Sequence, residues 1–307
     1  MIKTLRALAV TATLAAAAAA PALGQNELIV SQYMHNYFAV NPAFAGAREG
    51  LSLFGGFRKQ WAAIESSPTS ALLTANTPMR HEKLTGGLSI YHQSIHESTN
   101  TGVMATVGYR TRVGRSATLG LALQPGLAIR SRDWEKVRTM DGQDDAFAEK
   151  ETNAAPLLGL GVSIYGDKFF AGISTTSLIV TDDFERKDTK FAPADATYTA
   201  CGGYWFDLGA DMALQPSALA DYSKKTDAAA TLSVSAIWRE KVWLTLAGRT
   251  TKDATIGAAY KPNERLKVAY SYTMSLGPLN GYEGGSHEIT LQYDLVYKIK
   301  AVGPRFY

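Results

Sequence analysis

Residues 286 to 297 alternate strictly between apolar and polar side chains. Ile289, Leu291, Tyr293, Leu295 and Tyr297 share one parity, and Glu288, Thr290, Gln292 and Asp294 share the other. Side chains of a β-strand point to opposite faces with period two, so this strand has one apolar and one polar face. The same split recurs along the chain. Leu119, Leu121 and Leu123 oppose Thr118, Gly120 and Gln124; Leu232, Val234 and Trp238 oppose Thr231, Ser233 and Ser235; Leu266, Val268 and Tyr270 oppose Arg265, Lys267 and Ser271. The pattern predicts strands near 51–58, 69–78, 83–93, 100–112, 116–132, 156–165, 169–177 and 196–207, then 211–223, 226–238, 241–250, 253–261, 264–274 and 286–298. That is about fourteen strands, with twelve as the alternative count, and no convincing amphipathic helix between them.

A soluble sandwich alternates in the same way, so the connections decide. Every second connection is short: "MRHEK", "VGR", "GDK", "LGA", "REK" and "PNE". The others include long polar loops at about 59–68, 133–155, 178–195 and 275–285. Tight turns at one end and variable loops at the other are the signature of an outer-membrane barrel. Closing the sheet also removes edges that lipid could not hydrate. The expected fold is therefore all-β, a transmembrane antiparallel up-and-down β-barrel.

The N-terminus agrees with export. Lys3 and Arg6 precede an apolar run from Ala7 to Ala20, followed by small residues to Gly24. These features describe a cleavable signal peptide over 1–24. With Lys3 and Arg6 removed, the formal charge of +3 falls to +1, and no basic block suggests nucleic acid. No later run of about 18 apolar residues exists, which excludes a membrane helix but not membrane strands. The single cysteine, Cys201, cannot form an internal disulfide.

Further residues fill in the layout of 25–50 as a pre-barrel segment, 51–298 as barrel and 299–307 as a periplasmic tail. The stretch "NELIVSQYMHNYFAVNPAFAGARE" at 26–49 is too apolar to extend freely into water. Tyr33, Met34, Tyr37, Phe38, Asn41, Pro42 and Phe44 are read as a plug-like segment inside the barrel or across its periplasmic mouth, with a plain extra strand as the alternative. Trp61, Tyr91, Tyr109, Trp134, Tyr165, Trp205, Trp238, Trp243 and Tyr260 lie near strand ends, where interfacial aromatic girdles belong. Pro125 and Pro216, in two matching "ALQP" stretches, imply a bulge or a break in pairing.

Enzyme signatures are weak. His92 and His96 are four apart but fall at a strand end, and "DGQDD" at 141–145 lacks the spacing of a calcium loop. There is no G-x-S-x-G motif, although a Ser/His pair formed across strands would leave no local trace. The reading is non-enzymatic, with no cofactor and no metal.

The motifs "SQYMHNYFAVNPAFAG" at 31–46, "FRKQWAAIESSPTSALLTANTPM" at 57–79 and "GLGVSIYGDKFFAGIS" at 159–174, with "GGSHEITLQYDL" at 284–295 and the terminal "GPRFY", resemble the PorP/SprF outer-membrane proteins of the Bacteroidota type IX secretion and gliding systems. The resemblance covers essentially the whole chain after the signal peptide. It implies a component that aids export or surface retention of cargo with a C-terminal sorting domain, docking on periplasmic and outer-membrane secretion components. Arg58, Lys59, Gln60 and Trp61, where the first strand meets its outer loop, are candidate partner contacts, as are Pro304, Arg305, Phe306 and Tyr307. An outer-membrane channel for small solutes is the alternative, since fourteen strands can enclose a polar lumen. A soluble secreted β-protein is the third reading.

Overall fold

The computed structural model describes residues 31–48, 50–79, 83–134, 150–181, 189–224, 227–278 and 280–296. The signal-peptide region and the terminal residues Pro304, Arg305, Phe306 and Tyr307 lie outside the described residues.

Alternation becomes strand wherever the sequence shows it. The wall begins with β1 (Gly50–Lys59), β2 (Thr69–Pro78), β3 (Leu84–Ile95), β4 (Ser98–Val113), β5 (Ala117–Asp133), β6 (Lys150–Gly166) and β7 (Phe169–Thr175). A small hairpin, β8 (Ile179–Thr181) with β9 (Thr189–Phe191), forms a sheet of its own in the loop that follows and packs beside β6. The wall resumes with β10 (Tyr198–Tyr204) and β11 (Phe206–Asp207), then β12 (Met212–Ser223), β13 (Asp227–Trp238), β14 (Val242–Arg249), β15 (Asp253–Tyr260), β16 (Leu266–Ser275) and β17 (Ser286–Val296).

Each wall strand pairs antiparallel with its chain neighbours, and the sheet closes where β1 meets β17, from Gly50↔Val296 to Lys59↔His287. β10 bridges β7 and β12. β10 and β11 are two pieces of one strand, because both pair with β12 in a single register, Gly203↔Ser217 and then Phe206↔Leu214. The barrel is thus a closed ring of fourteen antiparallel strands. The first strand starts and the last one ends at the same rim, the one that carries the even-numbered short turns.

The interruption between β10 and β11 faces Pro216, which has no N–H to donate. Pro125 does the same to the β4–β5 ladder: pairing stops after Met104↔Gly126 and resumes at Val107↔Leu123 with the register unchanged. Both "ALQP" prolines therefore break pairing without a bulge.

The outer face is apolar. Val103, Val107, Leu127 and Ile129 stand exposed on β4 and β5, Leu244 and Leu246 on β14, and Ile289 and Leu291 on β17. Their strand neighbours on the other parity, such as Thr106, Ala128, Thr245, Glu288, Thr290 and Gln292, are buried inside. A soluble protein would hide the first set; a barrel in lipid presents it.

The aromatic girdle needs correction. Tyr109, Trp238 and Tyr260 do face outward, but Tyr165, Trp205 and Trp243 are buried in the lumen, and Tyr91 packs inward against Met104, Ala128 and Leu157. Closeness to a strand end does not set the face; parity does. Trp243 precedes the exposed Leu244 and must therefore point inward.

Candidate functional site

Residues 31–48 run through the lumen. "YMH" and "YFAV" each form one helical turn, Tyr33–His35 and Tyr37–Val40, and Pro42–Phe44 forms a third. Asn41 explains the break before Pro42. The residue before a proline is driven to extended backbone, and the Asn41 side chain then accepts the Ala43 N–H at 2.9 Å, capping the next turn. At Gly46 the chain turns toward β1 with φ of +70°, and a Cβ there would collide with Pro78.

The wall meets this segment with small and polar side chains. The Asn41 amide donates to Val162 O at 3.0 Å and Ile173 O at 3.3 Å. The Ser163 and Ser174 hydroxyls donate to Ala43 O and Val40 O, at 3.0 and 2.6 Å. Asn36 donates to Thr74 at 3.0 Å, and Tyr33 Oη shares hydrogens with Ser217 and Ser233, each at 3.0 Å. Gln215 donates to Tyr37 Oη at 3.0 Å, Gly46 N to Asn76 at 3.0 Å, and Arg110 to Gly46 O at 2.7 Å. Cβ atoms at Gly120, Gly161 and Gly172 would lie under 3.0 Å from Ala43 or Asn41. These glycines are the space that the inner chain occupies.

Apolar packing completes the attachment. Tyr37 stacks tilted on Phe170 at 4.1 Å between ring centroids, and Phe44 meets Tyr165 and Phe170 at 5.9 and 6.1 Å. Met34, Cys201 and Leu219 join the same cluster. Aromatic pairs of this geometry add about 0.5–1.5 kcal/mol each beyond area burial.

Both ends of the segment are held by β17. Ser31 N donates to the Glu288 carboxylate at 3.0 Å, and Gln32 donates to Glu288 O at 3.1 Å while accepting from Thr290 at 3.2 Å. At the other end Arg48 reaches Asp294 at 3.3 Å and donates to His35 O at 2.8 Å.

All seven residues read from the sequence as a plug-like segment, Tyr33, Met34, Tyr37, Phe38, Asn41, Pro42 and Phe44, lie buried inside the barrel. The candidate contact residues of the first loop do not share one face. Arg58 turns inward, 3.6 Å from Glu288 and hydrogen-bonded to Ser31. Lys59 is exposed on the opposite face. Gln60 and Trp61 border a small recess with Ser31 and Glu283. The residues that sequence reasoning missed are the receiving ones: Ser163, Ser174, Ser217, Ser233 and the glycines. Their signal was the run of small side chains on the inward parity of β6, β7, β12 and β13.

Above the segment, toward the loops, lies a cavity of about 250 Å³ whose floor includes Ala39 and Val40. A second recess of about 440 Å³ opens at the short-turn rim between Trp205, Asp211 and Arg239.

Solved structures similar to this chain are outer-membrane proteins. The Acinetobacter baumannii outer membrane protein Omp33 is 9% identical with a TM-score of 0.43, covering 80% of this chain and 98% of its own. The toluene transporter TodX of P. putida is 8% identical with a TM-score of 0.48, covering 84% and 93%. The outer membrane phospholipase A from Escherichia coli is 14% identical with a TM-score of 0.37, covering 80% and 91%. No curated protein matches the sequence. The family model for the type IX secretion system membrane protein PorP/SprF matches residues 22–293. The chain belongs to the PorP/SprF family, and its place is the outer membrane.

Proposed function

We propose that this barrel is a non-enzymatic docking component of the type IX secretion machinery. In this reading it aids export or surface retention of cargo proteins carrying a C-terminal sorting domain. Its partners are outer-membrane lipid around the belt, periplasmic and outer-membrane secretion components, and the cargo itself. The chain reaches the membrane after removal of a signal peptide over 1–24. The short-turn rim faces the periplasm, where the tail with Pro304, Arg305, Phe306 and Tyr307 meets the apparatus, and Lys59 with Trp61 contributes at the outer loops.

One observation carries this reading: the inner segment crosses the lumen and is bonded to the wall on all sides. The hydroxyls of Ser163, Ser174, Ser217 and Ser233 are engaged in holding it or one another, which supports a structural use of the lumen over a catalytic one. A filled barrel offers its rims, and rims recognise proteins. Deleting Ala301 to Tyr307 is expected to leave an assembled barrel and abolish cargo export. Normal export by that stably inserted truncation overturns the docking role of the tail. Planar-bilayer recording separates the solute-channel alternative: large steady currents would establish the channel, and a silent barrel that co-purifies with secretion components supports docking.

A further inference from the structure

The loop-side cavity is built by the register of four strands. Gln93, Asn100, Arg130 and Asn153 stand opposite one another across β3 to β6, forming an inward polar row. Two residues deeper on each strand come Tyr91, Gly102, Ala128 and Ala155. Two further are Ser89, Met104, Gly126 and Leu157. Small residues on three neighbouring strands at one level hollow the wall. The Tyr91 ring folds over Gly102, where a Cβ would collide with it. The result is an apolar recess of Tyr91, Met104 and Leu157 under a polar rim, open toward the loops.

Two features of the rim point to a ligand. Two cations, Arg130 and Arg249, line the cavity against one carboxylate, Asp221. That carboxylate is already engaged by Arg249 at 3.2 Å and by Thr199 at 3.0 Å. Arg130 is exposed and, among the described residues, faces no acidic group of the cavity that is not already engaged. Beside it, the Asn100 amide bonds Tyr91, and its Oδ1 is buried with no hydrogen-bond partner among the described residues. A bound molecule would satisfy both with an anionic group at Arg130 and an N–H or O–H at Asn100.

We propose that this cavity binds an N-acylated apolar amino-acid carboxylate. The apolar side chain sits on Tyr91, Met104 and Leu157, the carboxylate on Arg130, and the amide N–H on Asn100 Oδ1. The volume of about 250 Å³ lies just below the range of small-ligand clefts, ~300–1,000 Å³, and suits one such unit. Two sources carry this chemistry, a free small molecule and the last residue of a polypeptide. The inference stands apart from the docking role of the tail, since the cavity lies at the opposite end of the barrel.

The test uses the full chain in detergent micelles and N-acetylphenylalanine, followed by calorimetry and by methyl spectra of labelled methionines. Saturable binding with a shift of the Met104 methyl is expected. The uncharged N-acetylphenylalaninamide should bind about tenfold or more weakly, the loss of one charge-assisted contact. Arg130→Gln, at an exposed position, should fold and bind acid and amide alike. Equal binding of acid and amide by the unaltered protein, undiminished acid binding by Arg130→Gln, or no saturable binding at millimolar acid each overturns the proposal. A longer peptide ending in phenylalanine assigns the source: competition supports the chain end, and no competition supports the free molecule.

Discussion

The two sides of the lumen are filled by different means. On the side of β5 to β7 the wall is thinned to Gly120, Gly161, Gly172 and serines, and a separate stretch of backbone fills the space. On the side of β10 to β16, near the short turns, the wall fills its own lumen with Trp205, Ile237 and Trp243, and the Lys267 ammonium sits 4.0 Å from the Trp243 ring centre. The first arrangement spends small residues to admit a chain whose polar groups must then be bonded. The second uses large side chains and an inward cation over an aromatic face. Parity also decides what a glycine means: at position 161, on the inward face, the space is already taken, and at position 248, on the outward face, it is open, where a Cβ would meet nothing within 4 Å.

That contrast can be broken most forcefully at Gly161. Gly161→Leu drives a side chain into Asn41 and is expected to expel the inner segment, while Gly248→Ala behaves as the parent. Protease cleavage within 31–48, together with bilayer conductance, reads the difference. A leucine variant that keeps the segment protected would end the comparison. Next in size, Trp243→Ala opens a cavity on the self-filled side and should cost about 3–5 kcal/mol in denaturant titration. It should leave 31–48 protected.

Arg58→Met tests the charged end of the segment. Leaving Glu288 buried and unpaired costs about 3–5 kcal/mol, and adding Glu288→Leu should recover part of that loss in the same titration. Asn41→Ala removes two wall bonds and the turn cap, an expected loss of about 1–3 kcal/mol. The smallest effect belongs to the β15–β16 turn. There the Lys261 hydrogen bond and charge hold the Glu264 carboxyl below its usual value. A depressed carboxylate stabilises above its unfolded pKa and loses that contribution as pH falls through its folded one. Because Glu264 is largely exposed, Glu264→Gln should stay within about 0.5 kcal/mol at neutral pH and match the parent once acid has protonated the carboxyl, by thermal scan.

The wall was legible because one rule, period two, governs every strand, and lipid demands an apolar residue at each outward position. The inner face obeys a looser rule. It accepts Gly161, Ser235, Lys267 and Trp243 alike, since what each must match is another side chain rather than a solvent. Parity could have placed Trp243 inward; nothing local could say that Gly161 makes room for Asn41, 120 positions earlier in the chain. Arg58 illustrates the same limit. Its place beside the outer loop suggested a partner contact, and only the ring closure that brings Glu288 across from it turns it into a buried pair.

β17 closes the ring against β1 and also grips residues 31, 32 and 48. The seam and the fastening of the inner chain are thus one piece, made last as the polypeptide is synthesised. The segment has to be lying in place, or be drawn in, when the final strand docks. A wall sealed without it would leave Glu288 without Ser31 and Asp294 without Arg48. Completion of the cylinder is in this way also a check on its contents.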